Sequence, residues 1–224
     1  MSLLFKDSEK IIQKNEEAYT YSWKKMAEIL EIGITDKQIL REFFLGNNNS
    51  EQKHFPKHDK CSGVSKSDNS RITEKRICRC MYYFDENNKK CKNCILEKKW
   101  KNIGKLPVVE YEWPTKTVLK GVGGMDLIIQ DGEKKYALEV KPQDSTESIS
   151  RMVAETLTYT LDCDKGYLPG ICFFENSQQM SDYLKYKDNV DFQYILKFVK
   201  VYFIRIVIED VICQYEIKPI EDLL

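Results

Sequence analysis

The chain lacks most of the features that would place a protein by composition. It has no net charge, because 35 Lys and Arg are matched by 35 Asp and Glu, so no global field favours nucleic acid or an anionic membrane. Any basic surface must be local. It has no apolar run as long as the roughly eighteen residues a membrane span needs, and its opening MSLLFKDSEK has no apolar core for a signal peptide. A soluble, cytoplasmic (intracellular) chain with no membrane partner is therefore expected. It has no internal repeat and only two histidines, His54 and His58. What it does have is 224 residues, enough for one ordinary domain with a small inserted module, and eight cysteines. In a reducing compartment those are expected as thiols or metal ligands rather than disulfides.

Helical spacing of Ile12, Tyr19, Trp23, Met26, Ala27 and Leu30 predicts an amphipathic helix over 8–32, with Ser8 as N-cap and Gly33 as its stop. A shorter helix is predicted over 36–45. Residues 46–76 are polar, rich in Asn, Ser and Lys, and read as a loop-like insertion. After Pro107 the texture changes to strand-like runs, VVEYEW, MDLIIQ and KYALEVK, followed by a helix over 145–161 and a strand over 170–174. A short helix at 178–186 and two strong strands, FVKVYFIRIVI and VICQYEIKPI, close the chain. The order predicts a mixed α/β sheet, with N-terminal helices over 1–45, an inserted module over 46–105 and the sheet-forming core over 106–224.

Chemistry concentrates in VGGMDLIIQDGEKKYALEVKP. A two-residue turn at Asp131-Gly132 pairs Ile129 with Lys134, Leu127 with Tyr136 and Asp126 with Ala137. Side chains alternate, so Asp126, Ala137, Glu139 and Lys141 share one face, and Leu127, Ile129, Leu138 and Val140 the other. Two carboxylates on neighbouring strands repel unless a cation sits between them, and Mg²⁺ or Mn²⁺ prefers such oxygen ligands. A lysine beside them can orient a water. Together these groups suit metal-assisted attack on a phosphodiester.

An acid on one strand and Glu-x-Lys on the next, here Asp126 and Glu139-Val140-Lys141 preceded by Gly123-Gly124-Met125, resemble the signature of the PD-(D/E)XK nuclease superfamily. The resemblance spans roughly residues 107–175. It implies a restriction-endonuclease-like αβββαβ core, Mg²⁺-dependent (or Mn²⁺-dependent) hydrolysis of DNA to 5′-phosphate ends, and a metal shell of Asp126, Glu139 and the Val140 carbonyl. Glu155-x3-Tyr159 in the following helix is similar to the Gln-x3-Tyr of RecB-type members, with Glu in place of Gln; a spacing of four puts both side chains on one helix face. Many members add a Glu from the first helix. Glu16, inside the apolar stripe between Ile12 and Tyr19, is the first candidate for that role, with Glu17 and Glu28 behind it. On the first strand Glu110 and Glu112 share a face, and Glu112 is the better placed to reach the metal.

Cys78-x-Cys80 and Cys91-x2-Cys94 form two close pairs, the arrangement that brings four sulfurs to a structural Zn²⁺. An iron–sulfur cluster is the alternative. His54, His58 and Cys61 are read as loop residues, and Cys163, Cys172 and Cys213 as small core residues. Seven lysines around Trp100 would offer a local basic surface. The expected partner is DNA. An RNA-directed nuclease, a non-catalytic nucleic-acid-binding or scaffold protein on the same fold, and a homodimer remain open.

Overall fold

The computed structural model describes residues 23–28, 30–31, 74–83, 99–114, 124–161, 163, 165–209 and 212–223. Glu16, Glu17, Gly123, His54, His58, Cys61, Cys91, Cys94 and the helix expected over 36–45 lie outside them. Along the described chain the elements are α1 (Glu74–Tyr83), β1 (Lys99–Asn102), β2 (Val108–Pro114), β3 (Gly124–Asp131), β4 (Lys134–Lys141), α2 (Ile149–Leu161), β5 (Leu168–Phe174), α3 (Gln178–Tyr186), α4 (Val190–Ile195), β6 (Lys200–Glu209), β7 (Ile212–Pro219) and a closing 3₁₀ turn (Ile220–Leu223). Residues 23–28, 30 and 31 are helical.

One seven-stranded mixed sheet runs in the order β1-β7-β6-β5-β4-β3-β2. β2, β3 and β4 form an antiparallel meander. The central β4, β5 and β6 are parallel, and such pairs need a crossover, supplied by α2 and then by α3 with α4. β6 and β7 are antiparallel, and β1 joins parallel to β7. The fold class is thus the mixed α/β sheet expected. Among the described residues no helix is long and apolar enough to cross a membrane.

Alternation along the strands builds two cores. Leu127, Ile129, Leu138, Val140, Cys172, Phe174, Tyr202 and Ile204 pack with Ile77, Cys78, Cys80 and Met81 of α1. Ile171, Phe173, Val201 and Phe203 pack on the other face with Met152, Val153 and Leu157 of α2, with α3 and α4, and with Trp23, Met26 and Leu30 of the N-terminal helical segment. Gly170 marks a close approach in the centre: a Cβ there would lie 2.5 Å from Leu138 Cδ2.

Two elements depart from expectation. Of the lysine-rich run around Trp100, Lys99–Asn102 is an edge strand, and Trp100 is buried against Phe174 and Tyr215 rather than offered for stacking. The polar stretch ahead of the cysteines gives way at Glu74 to a helix whose apolar side closes one face of the sheet, so the described part of the span 46–105 contributes to the core.

On β2, Glu112 alone among the described non-glycine residues has a left-handed backbone, φ 45°. The strand pairs Tyr111 with Leu127 and Trp113 with Met125 around it. Gly124, at the start of β3, permits the tight contact beside this kink, since a Cβ there would meet the Trp113 carbonyl oxygen at 2.7 Å.

Candidate metal centre

The hairpin register differs from the expected one by two residues. Leu127 pairs with Leu138, Ile128 with Ala137, Ile129 with Tyr136 and Asp131 with Lys134, correcting the Ile129–Lys134, Leu127–Tyr136 and Asp126–Ala137 pairing. The cause is the turn, which uses Gly132 and Glu133 and places the left-handed residue, Gly132 at φ 61°, first. A two-residue shift keeps every side chain on its face. Continued by one pair, it also sets Asp126 opposite Glu139. The ladder yields there: Asp126 Oδ2 accepts the Val140 N–H at 2.8 Å.

The third acid comes from α1. Cys78 and Met81, four and seven residues after Glu74, are buried, so Glu74 lies on the helix face turned to the sheet. One carboxylate oxygen from each of Glu74, Asp126 and Glu139 lies within 4.8 Å of the others. Lys141 Nζ stands among the acids, 2.7 Å from Glu139, 2.9 Å from Glu74, 3.3 Å from Glu147 and 3.7 Å from Glu155. Arg151 Nε pairs with Glu147 and, at 3.2 Å, with Glu155. Thr156 fixes the rotation of α2 by donating to the Ala137 carbonyl at 3.0 Å and accepting the Gly170 N–H at 3.2 Å, which turns its neighbour Glu155 toward Lys141.

Charge is unbalanced here. Among the described residues, the cations paired with Glu74, Asp126, Glu139, Glu147 and Glu155 are Lys141 and Arg151. Burial pushes the Asp126 carboxyl well above the usual carboxylate range, and Glu74 adds to the shift against the opposing pull of Lys141 and the Val140 N–H. Burial likewise raises Glu139, with Asp126 the next cause, and raises Glu147. Burial works against the Lys141 charge, but Glu139, Glu74, Glu155 and Asp126 outweigh it and hold the lysine protonated. Buried carboxylates that bind protons above their normal range are what a divalent cation relieves, and the all-oxygen donor set of Glu74, Asp126 and Glu139 suits Mg²⁺ or Mn²⁺.

The remaining expected residues divide. Asp126, Glu139, Lys141 and Glu155 come together. Tyr159 is buried beside Met125, Ile128 and Ala137, one turn past Glu155. Val140 contributes its N–H to Asp126; its side chain is in the core. Glu112 lies outside the acid trio, 3.9 Å from Lys75, while Glu110 accepts the Tyr111 N–H at 3.1 Å and Glu28 is exposed. Cys78 and Cys80 are both buried in the α1 core, about 200° apart around the helix. Burial, then Asp126, Glu74 and Glu139, push the Cys78 thiol up. Cys91 and Cys94 lie outside the described residues. Cys172 and Cys213 are core residues, as expected, and Cys163 is half-buried.

Sequence reasoning missed Glu74, Glu147 and Arg151. The signal for Glu74 was present: it precedes Ile77, Cys78 and Met81 by three, four and seven residues, the same position in an apolar stripe that singled out Glu16. Compared with known proteins, the chain matches no family model, no curated protein and no solved structure.

Proposed function

We propose that the chain is a metal-dependent nuclease acting on DNA, built on a core like that of the PD-(D/E)XK enzymes. The observation that carries the reading is the meeting, at the fork between β3 and β4, of Asp126, Glu139 and Lys141 with an acid from the preceding helix. The meander β2-β3-β4, the crossover α2 and the parallel β5 follow the αβββαβ order.

Glu74, Asp126 and Glu139 would hold a divalent ion, which when bound supplies charge stabilisation to a phosphodiester and acidifies water. Lys141, protonated and only 5% exposed, donates hydrogen bonds at the edge of this trio and orients the attacking water. Glu155 and Glu147 hold Lys141 in place from α2 and the loop before it. The Val140 N–H fixes the Asp126 carboxylate, so one of the ligands is set before substrate arrives. None of these roles uses the zinc expected at Cys78, Cys80, Cys91 and Cys94; metal analysis of purified protein reads that expectation separately, as about one Zn per chain.

The test is incubation of labelled plasmid and linear DNA, with RNA in parallel, in Mg²⁺ or Mn²⁺. Cleavage of DNA is expected, with Asp126→Asn and Lys141→Ala reduced at least about a hundredfold. Variants that cut as well as the parent would remove the site, and cleavage of RNA alone would move the substrate.

A further inference from the structure

Lys141 has two kinds of partner. The nearer, Glu139 and Glu74 at 2.7 and 2.9 Å, belong to the trio suited to a cation. The farther, Glu147 and Glu155 at 3.3 and 3.7 Å, do not. An ammonium and a divalent ion compete for the same carboxylate oxygens, so loading the trio draws away the two closest counter-charges of the lysine. With a side chain 5% exposed, Lys141 has little water to turn to. Glu147 and Glu155 are what remain.

Both are supported from behind. Arg151 Nε, on the first turn of α2, pairs with both carboxylates from between them, four residues from each. Glu147 is also held through its backbone. Gln179 of α3 is fully buried and donates its amide to the carbonyls of Ser145, at 3.0 Å, and Glu147, at 2.7 Å. Ser145 N–H closes a turn onto the Pro142 carbonyl at 3.0 Å, and its hydroxyl accepts the Glu147 N–H at 3.2 Å. A short connection between β4 and α2 is thus tied at several points, all of which fix where the Glu147 carboxylate lies.

Resting on the metal-dependent reading above, we propose that Glu147 is a positioning residue that receives the Lys141 ammonium when a divalent cation takes Glu74 and Glu139, with Gln179 holding it in readiness. A residue that is no ligand then raises cation affinity, and does so only through Lys141.

The experiment is calorimetric titration of Mn²⁺ into the full chain, for the parent, Glu147→Gln, Lys141→Met and the double variant. Glu147→Gln is expected to weaken Mn²⁺ about fivefold in the parent and less than about twofold beside Lys141→Met, the non-additivity of coupled neighbours. Lys141→Met alone is expected to tighten Mn²⁺. Equal weakening in both backgrounds would make Glu147 a ligand or a plain long-range charge and overturn the proposal, as would no weakening in the parent. Gln179→Leu leaves every charge in place and is expected to weaken Mn²⁺ in the parent but not beside Lys141→Met; parent-like affinity would remove its share. DNA cleavage by the same parent preparation reports on the nuclease reading alone: coupling without cleavage keeps the role of Glu147 and discards the nuclease. A parent that binds no Mn²⁺ discards both.

Discussion

Two clusters of acids and bases stand on the same sheet and behave in opposite ways. At Glu175, Arg205, Glu216 and Lys218, two acids meet two bases on a partly exposed surface: Arg205 holds Glu175 by hydrogen bonds of 2.9 and 2.7 Å, and Lys218 lies 2.8 Å from Glu216. At the β3–β4 fork, five carboxylates meet Lys141 and Arg151, and Asp126, Glu139 and Lys141 are buried. The Arg205 hydrogen bond pulls the Glu175 carboxyl below its ordinary value, while burial and neighbouring acids push Asp126 and Glu139 above theirs. The same residue types therefore make a self-sufficient network when balanced and solvated, and an incomplete one when crowded and dry.

The sharpest contrast comes from Glu74. Glu74→Gln is expected to lower DNA cleavage about a thousandfold, the scale of a lost ligand at a catalytic cation, and to weaken Mn²⁺ at least about tenfold. Glu28→Gln, on an exposed helix face, is expected to change neither. Cleavage by Glu74→Gln within about tenfold of the parent would exclude Glu74 from the metal shell.

The second effect is on stability against pH. Asp126 and Glu139 have folded-state pKa values above their ordinary 3.8 and 4.5, so in that window the folded chain binds more protons than the unfolded one. Stability of the metal-free protein then falls as pH rises from the unfolded pKa through the raised folded values. Melting temperature without metal is expected to drop from pH 5 to pH 8, and Mn²⁺ to restore it more at pH 8 than at pH 5. Glu175 works in the reverse sense, but its exposure makes that contribution slight. A metal-free melting temperature that rises across this range in the parent and stays unchanged in Glu139→Gln would rule out the buried acids as the source.

The smallest effect belongs to the surface network. Arg205→Ala is expected to cost less than about 1 kcal/mol in urea unfolding and to leave cleavage and Mn²⁺ affinity at parent values. A tenfold change in Mn²⁺ affinity would mean that the two clusters communicate.

Most strands and helices after Pro107 were legible because their periods were: alternation gave β2 to β4, and the helix over 178–186 matches α3, whereas the six-residue α4 was too short to show a period and was missed. Faces survived the error in register because the shift was even. The origin of the third carboxylate was harder to read. Glu74 sits where a polar stretch meets cysteines, and cysteines two apart suggested ligands sooner than a buried helix face; thiols serve both purposes, and only packing separates them. Trp100 was hard to read in the same way, since a tryptophan between lysines can stack on a base or, as here, turn inward from an edge strand. Glu147 had no period to betray it. Its place depends on Gln179, thirty-odd residues later, and on no local pattern.

The left-handed Glu112 has a consequence for association. β2 is the outermost strand of the sheet, and an outermost strand ordinarily presents a continuous row of backbone donors and acceptors to any other chain that arrives. A residue at φ 45° turns its peptide groups out of that row level with Asp126, and Pro114 ends the strand two residues later. The kink therefore breaks, level with the fork, the row of backbone groups along which another strand would pair.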